Sequence, residues 1–243
     1  MYYKIIKSLK LFIKKILGIK THPSFYTHGV HKRMNITTHE SFKEFSELAK
    51  KIIEEKKSYL YFDRFLTIYD SVKSRPLNSE LVEIGVKGGG SAKFIASLVD
   101  SKCKIYCCDT FIGHTQIDKN DGEKMVVGDH GTVTLSDVKK YLEPFTNIKI
   151  IKGDIFQTYN DVPLENIGFV HLDVDLYLPT KFVLNKFFPK VKKGCIFILD
   201  DYLNINTPGV KKSVDEFRSS NEFKNRFYFT TLLTGQAIIV KIY

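Results

Sequence analysis

From residue 81 onward the chain alternates short apolar runs with stretches in which apolar residues recur at helical spacing. The runs at 81–86, 104–108, 148–152, 168–172, 196–199, 227–232 and 237–242 predict strands. Helices are predicted at 91–99, within "TLSDVKKYLEPF", at 179–188 and at 210–219. This alternation implies an α/β fold: a mostly parallel sheet with right-handed crossovers and helices on both faces. The last two strands stand too close together for a helix. They are joined across Thr234 and Gly235 as a hairpin, which places one antiparallel strand in a seven-stranded sheet.

Two more helices precede the sheet. Phe42, Phe45, Leu48 and Ile52 share one face of a helix predicted over 38–57, with Thr38 or Ser41 available to cap it. A second is predicted over 61–72, and Pro76 and Asn78 break the chain before the first strand. The beginning of the chain differs from the rest. Ile5, Leu9, Phe12 and Ile16 form an apolar stripe, while Lys4, Lys7, Lys10, Lys14 and Lys15 occupy the opposite arc. Lysines interrupt every apolar run there, so residues 1–20 read neither as a spanning helix nor as a signal peptide. Such a stripe suits packing on its own domain or on a second copy in a homo-oligomer, and it equally suits peripheral contact with an anionic membrane surface. The chain therefore divides into a basic amphipathic segment (1–36), N-terminal helices (37–80) and a catalytic domain (81–243).

A length of 243 residues with 43% hydrophobic content fits one domain of α/β size. The net charge of +10 suggests nucleic acid until its placement is considered. Eight cations precede the first acid, Glu40, leaving about +2 for everything after them, and no phosphate-tracking groove follows from that; no nucleic-acid partner is expected. The cysteines, Cys103, Cys107, Cys108 and Cys195, lack metal-binding spacing. They read as reduced core residues of a cytoplasmic protein, with Cys107 and Cys108 on opposite faces of one strand.

The chemistry gathers at the strand ends. In "HLDVDLY" an apolar run closes on Asp173 and Asp175, which share a face, and "CIFILDDY" closes on Asp200 and Asp201. Asp109 and Asp154 follow two other strands. In open parallel sheets ligands bind beyond the carboxyl ends of the strands, so these acids converge where a ligand would sit. The glycines of "LVEIGVKGGGSA" let backbone approach a ligand closely, and Glu83 can accept hydrogen bonds from ligand hydroxyl or ammonium groups. The spacing is not the dinucleotide fingerprint. Asp109 is placed to hold both hydroxyls of a ribose, and the lack of a phosphate cradle favours a nucleoside cofactor without phosphates.

In order along the chain, "VEIGVKGGGSA", "CDTFIG", "HLDVDLYLPT", "KKGCIFILDDY" and "PGVKKSVDEF" resemble the motifs of the macrocin O-methyltransferase family. The resemblance runs from about Leu81 to Phe217. It implies a Rossmann-like class I methyltransferase fold, S-adenosylmethionine as cofactor, Mg²⁺, and a sugar hydroxyl as acceptor, in polysaccharide or glycoconjugate biosynthesis. It carries metal-ligand roles to Asp173, Asp200 and Asp201 and the general-base role to Asp175. Cofactor roles fall on Glu83, Gly85, Ser91, Asp109 and Asp154. The glycine loop departs from the family pattern at Lys87 and Gly88. The chemistry is coherent, because an alcohol is a weak nucleophile near neutral pH and a hard cation beside a carboxylate base favours its deprotonation.

Two other readings share some of these residues. An apolar strand running into Asp-x-Asp also serves metal-dependent glycosyltransferases, although Glu83, Asp109 and a second acidic pair fit that reading poorly. A non-catalytic, membrane-peripheral protein could keep a degenerate version of the fold. His171, inside an apolar strand, reads as a core histidine or as a base, and His114 and His130 fall in a long segment, 110–134, that either closes over the site or is a plain solvated loop.

Overall fold

The computed structural model describes residues 40–243. Along the chain these form α1 (Glu40–Glu54), α2 (Phe62–Ser74), β1 (Glu80–Ile84), α3 (Gly90–Ser97), β2 (Ile105–Asp109), α4 (Leu135–Leu142), β3 (Ile148–Lys152) and a short α5 (Ile155–Thr158). β4 (Ile167–Leu172), α6 (Tyr177–Phe187), β5 (Ile196–Leu199), α7 (Pro208–Ser219), β6 (Phe227–Thr231) and β7 (Ala237–Lys241) follow. The predicted strands are all present within a residue or two of their expected ends. α1 begins at Glu40, so Ser41 lies inside it rather than capping it. Thr38 and the amphipathic stripe of residues 1–20 lie outside the described residues.

The strands form one sheet in the order β3-β2-β1-β4-β5-β7-β6, in which only β7 runs antiparallel to its neighbours. The chain works outward from β1 to β3 and then returns to place β4 on the other side of β1. That reversal opens a crevice at the carboxyl ends of β1 and β4.

Side chains of the central strands alternate between two apolar layers, as the pleat requires. Leu81, Phe169, Ile196 and Ile198 face a layer built with α1 to α4, and Val82, Ile84, Val170, Leu172, Phe197 and Leu199 face the layer built with α6 and α7. Cys107 and Cys108 divide between the two layers, as their adjacency predicts, and all four cysteines are free thiols. α1 and α2 belong to the same core as the sheet. Phe45 of α1 lies 4.8 Å from the Phe62 ring and 6.2 Å from the Phe94 ring, and Phe65 lies 4.7 Å from Phe94. This aromatic cluster fixes α2 against α3 and so sets the position of the α2 side chains that border the crevice. No helix among the described residues is long and apolar enough to cross a membrane.

Candidate functional site

A cavity of about 480 Å³ occupies the crevice. Its two ends differ in chemistry. One end is formed by Gly85, Val86, Ser91, Asp109 and Asp154, and the other by Asp173, Asp175, Asp200, Asp201 and Arg64.

The first end depends on a backbone crossing. Gly85 has φ +92°, and a Cβ there would lie 1.8 Å from the carbonyl oxygen of Asp173. The loop after β1 can pass the end of β4 only without a side chain at this point. Gly85→Ala is expected to destabilise the fold by roughly 2 kcal/mol or more, through clash and backbone strain together; urea unfolding would measure this, and an unchanged midpoint would contradict the crossing. The loop is then tied down by Asp109, whose Oδ2 accepts from the backbone N–H groups of Val86 and Lys87, both at 2.8 Å. Its Oδ1 accepts from Phe111 N at 2.7 Å. A carboxylate offers about four acceptor positions, so an anchored Asp109 keeps capacity for a ligand hydroxyl. Asp154 caps α5 through Phe156 N at 3.1 Å and accepts from Thr115 Oγ1 at 2.8 Å.

Glu83 departs from its expected place. It is fully buried, does not line the cavity, and its Oε1 lies 2.9 Å from Nδ1 of His171. The register explains this: Glu83 and His171 are direct partners across β1 and β4, with both side chains on the α1 to α4 face of the sheet. Residue parity then brings Asp200, two positions beyond Ile198, to the same face, where its Oδ1 lies 3.6 Å from His171 Nε2. Burial works against a charge on His171, but the carboxylates of Asp200 and Glu83 overcome it and push its pKa up to about 10. His171 is thus the core histidine of the two readings, buried and partnered by Glu83, and does not line the cavity as a base would.

The four acids do not behave alike. Carboxylate oxygens of Asp173, Asp175 and Asp201 lie within 4.8 Å of one another, whereas Asp200 is turned aside. Gln236 Nε2 donates to Asp200 Oδ1 at 2.6 Å, and the Arg64 guanidinium donates to Asp200 Oδ2 and, at 3.1 Å, to Asp201 Oδ1. Asp173 is held well above the usual carboxylate range by burial and by the charges of Asp200 and Asp201. Asp201 is pushed up to about 7 by burial, the Asp175 carboxylate beside it and the charge of Asp200. Burial alone would raise Asp175 as well, but the His114 imidazole, Asp201 and the His130 imidazole beside it bring it down to about 2.

The segment from 110 to 134 folds back on itself. His114 N donates to Asp129 O and Gly128 N donates to His114 O, both at 2.9 Å, which sets the His114 and His130 rings 5.1 Å apart. Their Nε2 atoms lie 3.8 and 3.6 Å from Asp175 Oδ2, so the segment forms a wall of the site. Lys87, at φ +48°, reaches His130 Nδ1 at 2.6 Å with its ammonium 3.6 Å from the centre of the Tyr59 ring. Sequence reasoning left the two histidines open and missed Arg64 and Gln236. A signal for Arg64 existed: a cation in the first turn of a helix opposes the helix dipole and calls for an acidic partner.

A family model described as macrocin-O-methyltransferase (TylF) matches residues 24–229. The chain is 24% identical over 147 residues to an 8-demethyl-8-(2,3-dimethoxy-alpha-L-rhamnosyl)-tetracenomycin-C 4'-O-methyltransferase of Streptomyces olivaceus, a match covering 55% of this chain and 56% of the relative. It is 26% identical over 155 residues to a demethyldecarbamoylnovobiocin O-methyltransferase of Streptomyces niveus, covering 58% of each. The matches thus span little more than half the length of these curated relatives. Among solved structures, the O-methyltransferase NovP superposes with a TM-score of 0.62 at 22% identity, covering 76% of this chain and 82% of that one. The shared architecture is the Rossmann-like class I methyltransferase fold.

Proposed function

Since the chain belongs to the macrocin-O-methyltransferase family, we propose that it transfers a methyl group from S-adenosylmethionine to a sugar hydroxyl with the help of Mg²⁺. The observation that carries this reading is the division of one cavity into a glycine-loop end and a carboxylate end. Membership in this family sets aside the glycosyltransferase reading of Asp-x-Asp.

At the first end, Gly85 and Ser91 allow close approach of the cofactor and Asp109 receives its ribose hydroxyls; Asp154 borders the same space. S-adenosylmethionine supplies a methyl on a sulfonium, and transfer to oxygen leaves S-adenosylhomocysteine. Glu83 serves this end indirectly, by holding His171 beneath the sheet ends.

At the other end, the donor set fits a hard divalent cation. Three carboxylates with oxygens within 4.8 Å of one another are what Mg²⁺ prefers over softer donors. Asp173 and Asp201, two of these three, are assigned to hold the ion; Asp175 is the third of the group, and Asp200, outside it, is assigned as a further ligand once Arg64 releases its Oδ2. A bound dication lowers the pKa of a hydroxyl it touches. Asp175 takes the hydroxyl proton: its oxygen is beside the ligand oxygens, and His114 and His130 hold it from the loop side. The acceptor oxygen, relieved of its proton, forms the new bond to carbon as the sulfur–carbon bond breaks. The acceptor class is a sugar within a polysaccharide or glycoconjugate, in line with the rhamnosyl substrate named for the Streptomyces olivaceus relative.

Calorimetric titration tests the cofactor half. The protein should bind S-adenosylmethionine, and Asp109→Ala should weaken that binding by about tenfold or more, since hydrogen bonds to a charged group and the anchoring of the loop are lost together. Tight binding of a nucleotide sugar with no binding of S-adenosylmethionine would overturn the proposal.

A further inference from the structure

The carboxylate end already contains a cation, Arg64, and its partners are two of the three proposed metal ligands. One guanidinium nitrogen, Nη1, donates to both Asp200 Oδ2 and Asp201 Oδ1. Asp200 has little else to offer, because its Oδ1 accepts from Gln236 Nε2 at 2.6 Å. Asp201 Oδ1 also accepts from Asn204 Nδ2 at 3.1 Å. The oxygen through which Asp200 can reach an ion is therefore the one that Arg64 holds.

A guanidinium and a dication cannot share these oxygens without strong repulsion. Two positive charges a few ångströms apart in a partly buried site repel by several kcal/mol at an effective dielectric near 20. Arg64 also has a way out. It stands in the first turn of α2 and lines the cavity with its side chain 18% exposed. Beside it the chain carries Gly235, where even an added Cβ would remain 3.7 Å from Arg64 Nη2, so that flank does not confine the guanidinium. Behind Asp200, by contrast, Gln236 and His171 are fully buried and fixed.

We propose that Arg64 is the resting counter-ion of the Asp200/Asp201 pair and that a divalent cation binds by displacing it. The ion reading of the carboxylate end is a premise of this inference. While Arg64 is in place, it neutralises the two carboxylates and keeps Asp200 turned away from the Asp173, Asp175 and Asp201 group, so the empty acidic cluster does not repel itself. When the ion arrives, the guanidinium swings away from the carboxylates toward the Gly235 flank. Metal affinity is therefore set by competition between two cations for the same oxygens, and removing the internal one should raise it.

The test compares full-length wild type, Arg64→Gln and Arg64→Lys by Mg²⁺ calorimetry and by Mn²⁺ binding followed through electron paramagnetic resonance. Arg64→Gln is expected to bind either ion at least about tenfold more tightly, because it removes a full charge from the site. Arg64→Lys should fall between, with S-adenosylmethionine affinity unchanged in both as evidence of folding. In wild type, Mg²⁺ should shift the side-chain Nε–H resonance of Arg64, assigned as the signal missing from Arg64→Lys; this readout survives a misfolded glutamine variant. Equal or weaker ion binding by Arg64→Gln, or an Arg64 resonance indifferent to Mg²⁺, overturns displacement while leaving the ion assignment intact. Failure of all three proteins to bind either ion overturns the ion assignment and this inference with it.

Discussion

Asp175→Asn is expected to lower turnover by roughly 10²- to 10⁴-fold, the range over which a positioned general base contributes. The amide keeps the size and hydrogen-bonding shape of the carboxylate and cannot take a proton. Asp175 occupies an unusual backbone position, φ +62°, which aspartate and asparagine both tolerate better than most residues, so the variant should fold. It also stands beside both histidines of the loop and within 4.8 Å of Asp201. The defect should therefore appear in kcat and leave affinity for S-adenosylmethionine near wild type. It should shrink as pH rises, since hydroxide from solvent can then take the acceptor proton. Steady-state kinetics from neutral to alkaline pH would measure both features. A variant with full turnover would transfer the base role to His114 or His130, which share the same pocket wall. A variant that lost ion binding and kept its pH profile would instead make Asp175 a ligand, as its closeness to Asp173 and Asp201 permits.

Exhaustive removal of divalent ions is expected to reduce turnover by at least about 10²-fold, because a bound dication is worth several kcal/mol at an oxygen that gains negative charge. Addition of Mg²⁺ should restore it. Binding of S-adenosylmethionine should persist throughout, since Ser91, Asp109 and Asp154, assigned to the cofactor, are separate side chains from the carboxylates assigned to the ion. Among single variants, Asp173→Asn and Asp201→Asn should require more Mg²⁺ for half-maximal activity, because an amide oxygen is a neutral and weaker ligand for a hard cation. Full activity after chelation would end the metal-assisted reading. Burial and acidic neighbours push both Asp173 and Asp201 upward, a penalty that a bound divalent cation would offset.

Much of this arrangement was legible along the chain, and for a consistent reason. The strands, the terminal hairpin and the positions of the acids all depend on local periodicity, on turn residues and on the rule that ligands gather at strand carboxyl ends. The split of Cys107 and Cys108 between two cores follows from the pleat alone. What the sequence could not decide was which side chain meets which across the sheet. Glu83 reads as a ligand-facing acid from its place near a strand end, yet cross-strand register pairs it with His171, so that it supports the site from below.

Loop closure lay further from reach. Residues 110–134 carry no periodic pattern, and only contacts between the two arms of that segment bring His114 and His130 to Asp175. Arg64 is the clearest case. It lies 136 positions from Asp200 and reaches it only because the Phe45, Phe62, Phe65 and Phe94 cluster seats α2 over the ends of β4 and β5. The sequence by itself determined the fold class, the strand set and the acids that gather at the strand ends, because each of those is written in residues close together in the chain. The tertiary structure decided which acids meet Arg64, which meets His171 and which meets the loop histidines, because in a buried cluster the charge state and direction of each carboxylate depend on neighbours that only long-range packing supplies.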